Sequence, residues 1–162
     1  HGNHDKCCSK FGLPVYELLK QAVGDRAWQC SHVGGDRFAA NVVCFPYGIY
    51  YGHVDLEDVP KIVEASARKE IYLKNYRGRA CYSKCDQVAE YFVRSQSGLL
   101  GLDDLTLISS GEMTAAFRSA NGVHSVEFRA KDGLSQTLTC RSEVAKPIVQ
   151  YELVSYEFRI GA

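Results

Sequence analysis

Thiol and imidazole side chains are the groups in this chain best suited to chemistry, with seven cysteines and five histidines among 162 residues. The number of cysteines is odd, and no charged-then-apolar signal sequence opens the chain, so a disulfide framework is not expected. The cysteines are instead predicted to be buried or metal-binding thiols in a reducing compartment, the cytoplasm. They are Cys7, Cys8, Cys30, Cys44, Cys81, Cys85 and Cys140.

The sequence lacks the motifs typical of hydrolases, nucleotide-binding proteins and disulfide oxidoreductases. The sequence contains no Ser-His-Asp order, no phosphate-binding P-loop and no dinucleotide glycine fingerprint. It also lacks a C-x-x-C pair, so disulfide exchange is not expected. The 19 basic and 19 acidic residues balance to a net charge of zero, whereas nucleic-acid-binding proteins more often carry a basic excess. No apolar run approaches the roughly 18 residues of a membrane-spanning helix, so neither nucleic acid nor membrane is an expected partner.

A short helix and a strand are expected before the first glycine pair. Residues 13–24 carry apolar side chains at helical spacing, and Pro14 suits the first helical turn. Residues 27–33 alternate as a strand does, and Gly34-Gly35-Asp36 then turns the chain. His32 and Asp36 lie on either side of this glycine pair, four positions apart in the sequence.

A hairpin and a helix are expected next. Residues 38–45 and 49–54 are rich in β-branched and aromatic side chains, with Pro46-Tyr47-Gly48 as the turn between them. Asp55, followed three residues later by Asp58, is a capping signature that predicts the start of a helix.

The second half of the chain reads as one helix followed by a strand meander. Ser83 and Asp86 form a second capping signature, and Gly98 is a typical helix stop. Asn121-Gly122 predicts a hairpin turn. Strands are expected at residues 105–109, 112–119, 122–130, 135–140 and 148–160. The fold class is therefore α/β, in the broad sense that includes α+β.

Five stretches of this sequence resemble the sucrase/ferredoxin-like family, a branch of the thioredoxin-like 2Fe–2S ferredoxins. Residues 1–8 (HGNHDKCC) resemble the family motif C-x-H-G-x-x-D-x-C-C, of which the first two positions would precede His1. Residues 28–41 (WQCSHVGGDRFAAN) resemble the family motif W-x-x-S-H-x-G-G-H-R-F-A-A-N. Residues 51–54 (YGHV), 77–79 (RGR) and 87–94 (QVAEYFVR) match as well. The resemblance implies a thioredoxin-like sheet with flanking helices over residues 1–66, and residues 67–162 are expected to form a small α+β extension packed on it.

The same resemblance implies the ligands of a 2Fe–2S cluster. Cys8 matches the second family cysteine and His32 matches the first histidine of the glycine loop, while Asp36 stands where the second histidine is expected. The first family cysteine is expected two positions before His1, so this chain is interpreted as a fragment. An upstream segment is expected to supply that cysteine and the first strand. A cluster is accordingly expected to bind this fragment weakly or not at all.

The residues of the glycine loop leave two readings of Asp36 open. Gly34 and Gly35 are assigned to cofactor binding, because glycines let the backbone approach cluster sulfides and offer them amides. Asp36 either completes the ligand set as a hard carboxylate ligand or is a solvated turn residue. Cys7 and Cys30 are the first candidates to replace a missing ligand, whereas Cys44 and Cys85 are assigned to the core.

The leading prediction is an electron-transfer or redox-sensing protein that carries a 2Fe–2S cluster, an electron carrier rather than an enzyme. The alternative is a cluster-free thioredoxin-like binding or structural module, and the aspartate at position 36 favours it. A redox partner protein is a further expectation, because residues 68–84 carry six basic residues against one acid. Such a stretch is either a solvated surface or a docking face for an acidic partner or for the upstream segment.

Overall fold

A computed structural model of the chain describes residues 6–137 and 144–161. Within these residues, helices and two antiparallel sheets alternate, which confirms the predicted mixed α/β class. No helix in the described part of the chain is both long and apolar enough to cross a membrane. His1, His4 and Cys140 lie outside the described residues, as does the side chain of Cys7.

The first helix, α1, is longer than predicted and spans Lys6–Val23. Its buried face carries Val15, which packs in the core with Leu18 and Leu19 beside it. The prediction that Pro14 marks the first turn is wrong, since Pro14 lies inside the helix. The carbonyl that loses its amide partner belongs to Lys10, an exposed residue.

The strand predicted at residues 27–33 is also wrong: this segment is a loop without strand pairing. Its alternating pattern does not separate a buried face from an exposed one, and Trp28 is 86% exposed. Alternation produces a stable strand only where one face is covered and an edge is available for pairing. The first condition does not hold for this segment, because none of its residues is buried.

The predicted hairpin is confirmed as strands β1, Val42–Cys44, and β2, Ile49–Tyr51, paired antiparallel. Both arms are shorter than predicted: the first begins at Val42, after a 3-10 turn that ends at Phe38, and the second ends at Tyr51 and not at Val54. A third strand, β3, Tyr76–Arg79, pairs with β2 and completes a sheet of order β1-β2-β3. Ile49 and Tyr51 from β2 lie in the core that α1 also covers.

Helix α2, Val59–Ala67, begins where its capping signature predicts. A 3-10 turn at Leu56–Asp58 precedes it, and Asp55 and Asp58 form a reciprocal capping box. In that box the Asp55 amide donates to Asp58 Oδ2 at 3.1 Å. Val59 and Ile62 then bury the apolar face of the helix against the first sheet's core.

The second part of the fold packs helix α3, Lys84–Ser97, on a four-stranded sheet. Both predicted end signals are confirmed, since Ser83 Oγ accepts from the Asp86 amide at 3.2 Å and Gly98 is left-handed at the C-cap. The strands run in the order β4-β5-β6-β7 and bury Phe117 and Phe128 beneath the helix. They are β4, Thr106–Ser110; β5, Thr114–Ser119; β6, Gly122–Thr137; and β7, Ala145–Ile160.

The predicted boundary between residues 66 and 67 and the thioredoxin-like topology stay predictions. Residues on both sides of that boundary contribute to the first sheet's core, since Ile71 and Tyr76 lie there with Ile62. In addition, the strand predicted at 122–130 and the described part of the one predicted at 135–140 are joined in one long strand, β6, whereas residues 138–140 lie outside the described residues.

Candidate metal centre

The three residues predicted as metal ligands lie together in the structure. Cys8 is in the first turn of α1, His32 is in the loop that follows, and Asp36 opens the 3-10 turn. Their ligand atoms, one sulfur, one nitrogen and one oxygen, all lie within 4.8 Å of one another. Among the described residues this is the one group of three or more such side chains close enough to share a metal ion.

The Asp36 carboxylate is the centre of this group. The Cys8 thiol donates a hydrogen bond to Asp36 Oδ1 over 3.5 Å, and His32 Nδ1 lies 3.1 Å from the same oxygen. The Asp36 side chain is 11% exposed and that of His32 is 36% exposed, so solvent reaches the group from the imidazole side. Ligands bound tetrahedrally at about 2.0–2.3 Å lie roughly 3.3–3.8 Å apart. The two distances to Asp36 Oδ1, 3.5 Å from Cys8 and 3.1 Å from His32, are therefore close to what one bound metal ion requires.

Two left-handed glycines bring His32 and Asp36 to the same side of the loop. Gly34 has a φ of +85° and Gly35 a φ of +76°, values that other residues adopt only with strain. Two backbone hydrogen bonds then fix the turn: Phe38 N donates to Gly35 O at 2.9 Å, and Ala39 N donates to Asp36 O at 3.0 Å. Space remains open beside Gly34, whereas Gly35 is crowded by neighbouring side chains.

Asn41 and Arg77 support this turn, although in the sequence Arg77 counts only as one cation of the basic stretch and Asn41 has no predicted role. Asn41 Nδ2 donates to the Gly35 carbonyl at 3.0 Å, and Arg77 Nη1 donates to Asn41 Oδ1 at 2.6 Å. The Arg77 guanidinium also lies over the ring of Phe38, 4.1 Å from its centroid. Both residues fall within the stretches that carry the family resemblance, which was the available signal, but the contact between them appears only in the folded chain.

Replacement of Gly34 and of Gly35 by alanine is expected to lower the free energy of unfolding by different amounts. Gly34→Ala adds only backbone strain, about 1 kcal/mol, since nothing lies within 4 Å of the new methyl. Gly35→Ala adds the same strain and places the methyl 2.9 Å from Arg77 Nη2 and 3.0 Å from Phe38 Cδ2. Overpacking of this kind raises the expected loss in the free energy of unfolding to about 2–4 kcal/mol, measured by urea titration.

Gly12→Ala is the matched control for these variants. Gly12 lies inside α1, has open space beside it and does not have a positive φ. Alanine there is expected to leave stability unchanged or raise it by up to about 1 kcal/mol. Equal losses at Gly34 and Gly35 would contradict the idea that Gly35 is closely packed.

A cleft of about 950 Å³ lies beside the three candidate ligands, which contribute to its lining. Its other walls include the apolar side chains of Val15, Leu19 and Val42. Cys44 also lines it, and burial raises the pKa of the Cys44 thiol to about 11. A thiol with that pKa stays protonated near neutral pH, and Cys44 packs against the first core, as predicted.

The other cysteines of the described chain are distributed singly. Cys85 packs against the second core, as predicted for the apolar stripe of α3. Cys81, four residues earlier, is exposed. Cys30 is exposed as well and lies in the lining of the cleft near His32. Its role as a substitute ligand stays a prediction.

Three of the six cations in residues 68–84 pair with acids of the same chain. Arg68 pairs with Glu64 and Glu70, which are exposed or nearly so. Lys74 Nζ lies 2.9 Å from Asp58 Oδ1, and Arg79 Nη2 lies 2.7 Å from a buried Glu90 oxygen. These pairs give half of the cations in the stretch a structural role. Its predicted role as a docking face for a redox partner stays a prediction.

Comparison with known proteins identifies a family for the first part of the chain. The family model described as Sucrase/ferredoxin-like matches residues 1–78. Altered inheritance of mitochondria protein 32 of Meyerozyma guilliermondii is 32% identical over 89 residues, which cover 48% of this chain and 32% of that protein. The match therefore spans about a third of the length of this curated relative. No solved structure matches the chain.

Proposed function

Because residues 1–78 match the sucrase/ferredoxin-like family model, we propose that the chain is an electron-transfer or redox-sensing protein with a 2Fe–2S cluster at Cys8, His32 and Asp36. The observation that supports this proposal is the convergence of the three side chains. They come from a helix and from a loop 24 or more positions later in the sequence, and their ligand atoms lie within 4.8 Å of one another.

The three side chains fit a cluster in part. A 2Fe–2S centre takes four protein ligands, and mixed thiolate and imidazole sets are established chemistry for it. Cys8 and His32 are of these types, and Asp36 adds a harder oxygen ligand. The described residues therefore offer three of four positions. The fourth belongs in this proposal to a cysteine upstream of His1, with Cys7 or Cys30 as the substitutes.

When bound, such a cluster supplies the one-electron chemistry, and the chain's residues bind it and control its surroundings. Cys8 must give up the proton that it shares with Asp36 before its sulfur becomes a ligand, so binding releases a proton. His32 contributes a neutral ligand, which raises the reduction potential above that of four thiolates. Gly34, with open space beside it, leaves room for a bulky group next to the loop.

The second candidate is the cluster-free module, and a specific observation favours it. The Asp36 carboxylate already accepts a hydrogen bond from Cys8 and lies 3.1 Å from the His32 ring. The three polar groups therefore satisfy one another without an ion. In this reading the cleft beside them binds a partner or packs another part of the protein.

Anaerobic reconstitution with iron and sulfide distinguishes the two candidates. We expect the native chain to take up iron and acid-labile sulfide weakly, and Asp36→His to take up more, with stronger visible absorption, since imidazole suits iron better than a carboxylate. Uptake of iron without acid-labile sulfide would indicate a site for a single iron ion and not a cluster. If Asp36→His stays colourless and free of iron even after the upstream cysteine that the resemblance implies is restored two positions before His1, the electron-carrier proposal fails and the cluster-free module stands.

A further inference from the structure

We propose that Asn41 and Arg77 are positioning residues that hold the loop of the candidate metal centre in its binding geometry. Each acts through the backbone of the glycine turn: Asn41 bonds the Gly35 carbonyl, and Arg77 bonds Asn41. The inference rests on the proposed function only in taking Cys8, His32 and Asp36 as the ligands.

The first step is the bond between Asn41 and the turn. The Gly35 carbonyl accepts two hydrogen bonds, one from Asn41 Nδ2 at 3.0 Å and one from the Phe38 amide at 2.9 Å. Gly35 immediately precedes Asp36, so its carbonyl fixes the peptide from which the candidate ligand extends. A left-handed glycine has several accessible conformations, and a side-chain donor at its carbonyl selects one of them.

The second step is the bond that orients Asn41. Its amide can present either its oxygen or its nitrogen toward Gly35, and only the nitrogen donates. Arg77 Nη1 donates to Asn41 Oδ1 at 2.6 Å, which places the oxygen on the Arg77 side and leaves the nitrogen for the carbonyl. The arginine therefore determines which way the amide points.

The third step is what holds Arg77 itself. Its guanidinium lies 4.1 Å from the centroid of the Phe38 ring, and Gly78 next to it allows close packing of β3 on Gln87. A methyl group on Gly35 would meet Arg77 Nη2 at 2.9 Å, so the guanidinium lies directly against the turn. Arg77, Asn41, Phe38 and Gly35 thus form one connected support.

Electrostatics and positioning predict opposite results, which makes the proposal testable. Asn41→Asp adds a negative charge near the site, and Arg77→Met removes a positive one, so charge alone would strengthen the binding of a cation in both variants. If the two side chains position the loop, both substitutions weaken binding instead. Asn41→Asp keeps an oxygen for Arg77 but loses the donor to Gly35, and Arg77→Met keeps apolar contact with Phe38 but loses the donor to Asn41.

The probe is Co²⁺ alone, titrated into the metal-free chain while its ligand-field absorption is recorded. We expect Asn41→Asp and Arg77→Met to weaken cobalt binding about 10- to 100-fold, the usual range for groups that orient a ligand. Arg77→Lys, which retains one donor, is expected to recover part of the loss. Arg37→Met is the matched control, since Arg37 also lies over the Phe38 ring, at 4.4 Å, and is expected to bind cobalt at least as well as the native chain.

Hydrogen exchange of the metal-free protein tests the support even if the native chain binds no cobalt. Asn41→Asp is expected to speed exchange of the Phe38 and Ala39 amides about three- to ten-fold, because the turn loses one of its hydrogen bonds. Native-like exchange at these amides would overturn the proposal, and so would native or tighter cobalt binding by both variants. If Asn41→Asp exchanges faster but the native chain binds no cobalt, Asn41 and Arg77 still hold the turn in place. The metal site proposed at Cys8, His32 and Asp36 is then wrong.

Discussion

Replacing Cys8 by alanine is expected to abolish the visible absorption of the reconstituted chain and to weaken cobalt binding by about 100-fold or more. Four ligands together supply roughly 10–16 kcal/mol of binding free energy at a structural metal site, so the loss of one thiolate has a large effect. Cys8 lies in the first turn of α1, with its sulfur 3.5 Å from Asp36 Oδ1. Metal content per chain and the cobalt titration measure the loss.

Two further cysteines make this experiment specific. Cys81→Ala removes an exposed thiol outside the group of candidate ligands and is expected to bind metal as the native chain does. Cys30→Ala removes an exposed thiol in the lining of the cleft, so it tests whether Cys30 substitutes for the fourth ligand. Native cobalt affinity in Cys8→Ala would exclude this residue as a ligand and, with it, the proposed centre.

The parts of the fold that the sequence predicts well are those encoded by a few neighbouring residues. Asp55 with Asp58, Ser83 with Asp86, and Gly98 each satisfy a helix end within three or four positions. Such signals do not depend on what packs against the helix, so they survive in any tertiary context. The structure places all three where the pattern predicts them.

The failures concern features that depend on distant partners. Residues 27–33 alternate like a strand, yet they lie along a cleft and none of them is buried. The start of α1 lies eight residues before Pro14, because the helix continues through this proline. Local pattern alone does not reveal whether a face will be covered.

The candidate metal centre likewise combines residues that the sequence predicts with contacts that it does not predict. Cys8, His32 and Asp36 were predicted from a family resemblance, and the structure brings them together. The link between Arg77 and Asn41 joins residues 36 positions apart, and neither side chain belongs to a ligand type, so ligand chemistry gave no reason to select them. Arg79 likewise counts as part of a basic surface stretch in the sequence, whereas its side chain is 13% exposed and pairs with Glu90.

Glu90→Ala is expected to lower the free energy of unfolding by about 3–5 kcal/mol, because it leaves buried arginines without their carboxylate. Glu90 and Arg94 are both fully buried on α3, and Arg94 Nη2 lies 3.0 Å from Glu90 Oε1. Arg79 Nη2 lies 2.7 Å from the same oxygen, and the Tyr76 hydroxyl donates to the other one. Burial raises the pKa of Tyr76, and the Glu90 charge raises it further, so the hydroxyl remains a donor throughout the accessible pH range.

Glu64→Ala is the matched control, since Glu64 also pairs with an arginine four residues along a helix but is 68% exposed. Removing an exposed partner of this kind is expected to cost less than about 1 kcal/mol. Tyr76 belongs to β3 of the first sheet and Glu90 to α3 on the second, so the network joins the two parts of the fold. Urea unfolding followed on the amide resonances of Ile62 in the first core and Phe117 in the second is therefore expected to show one transition in the native chain and separated midpoints in Glu90→Ala. A loss below 1 kcal/mol with coincident midpoints would mean that apolar packing alone, and not this buried carboxylate, holds the two parts together.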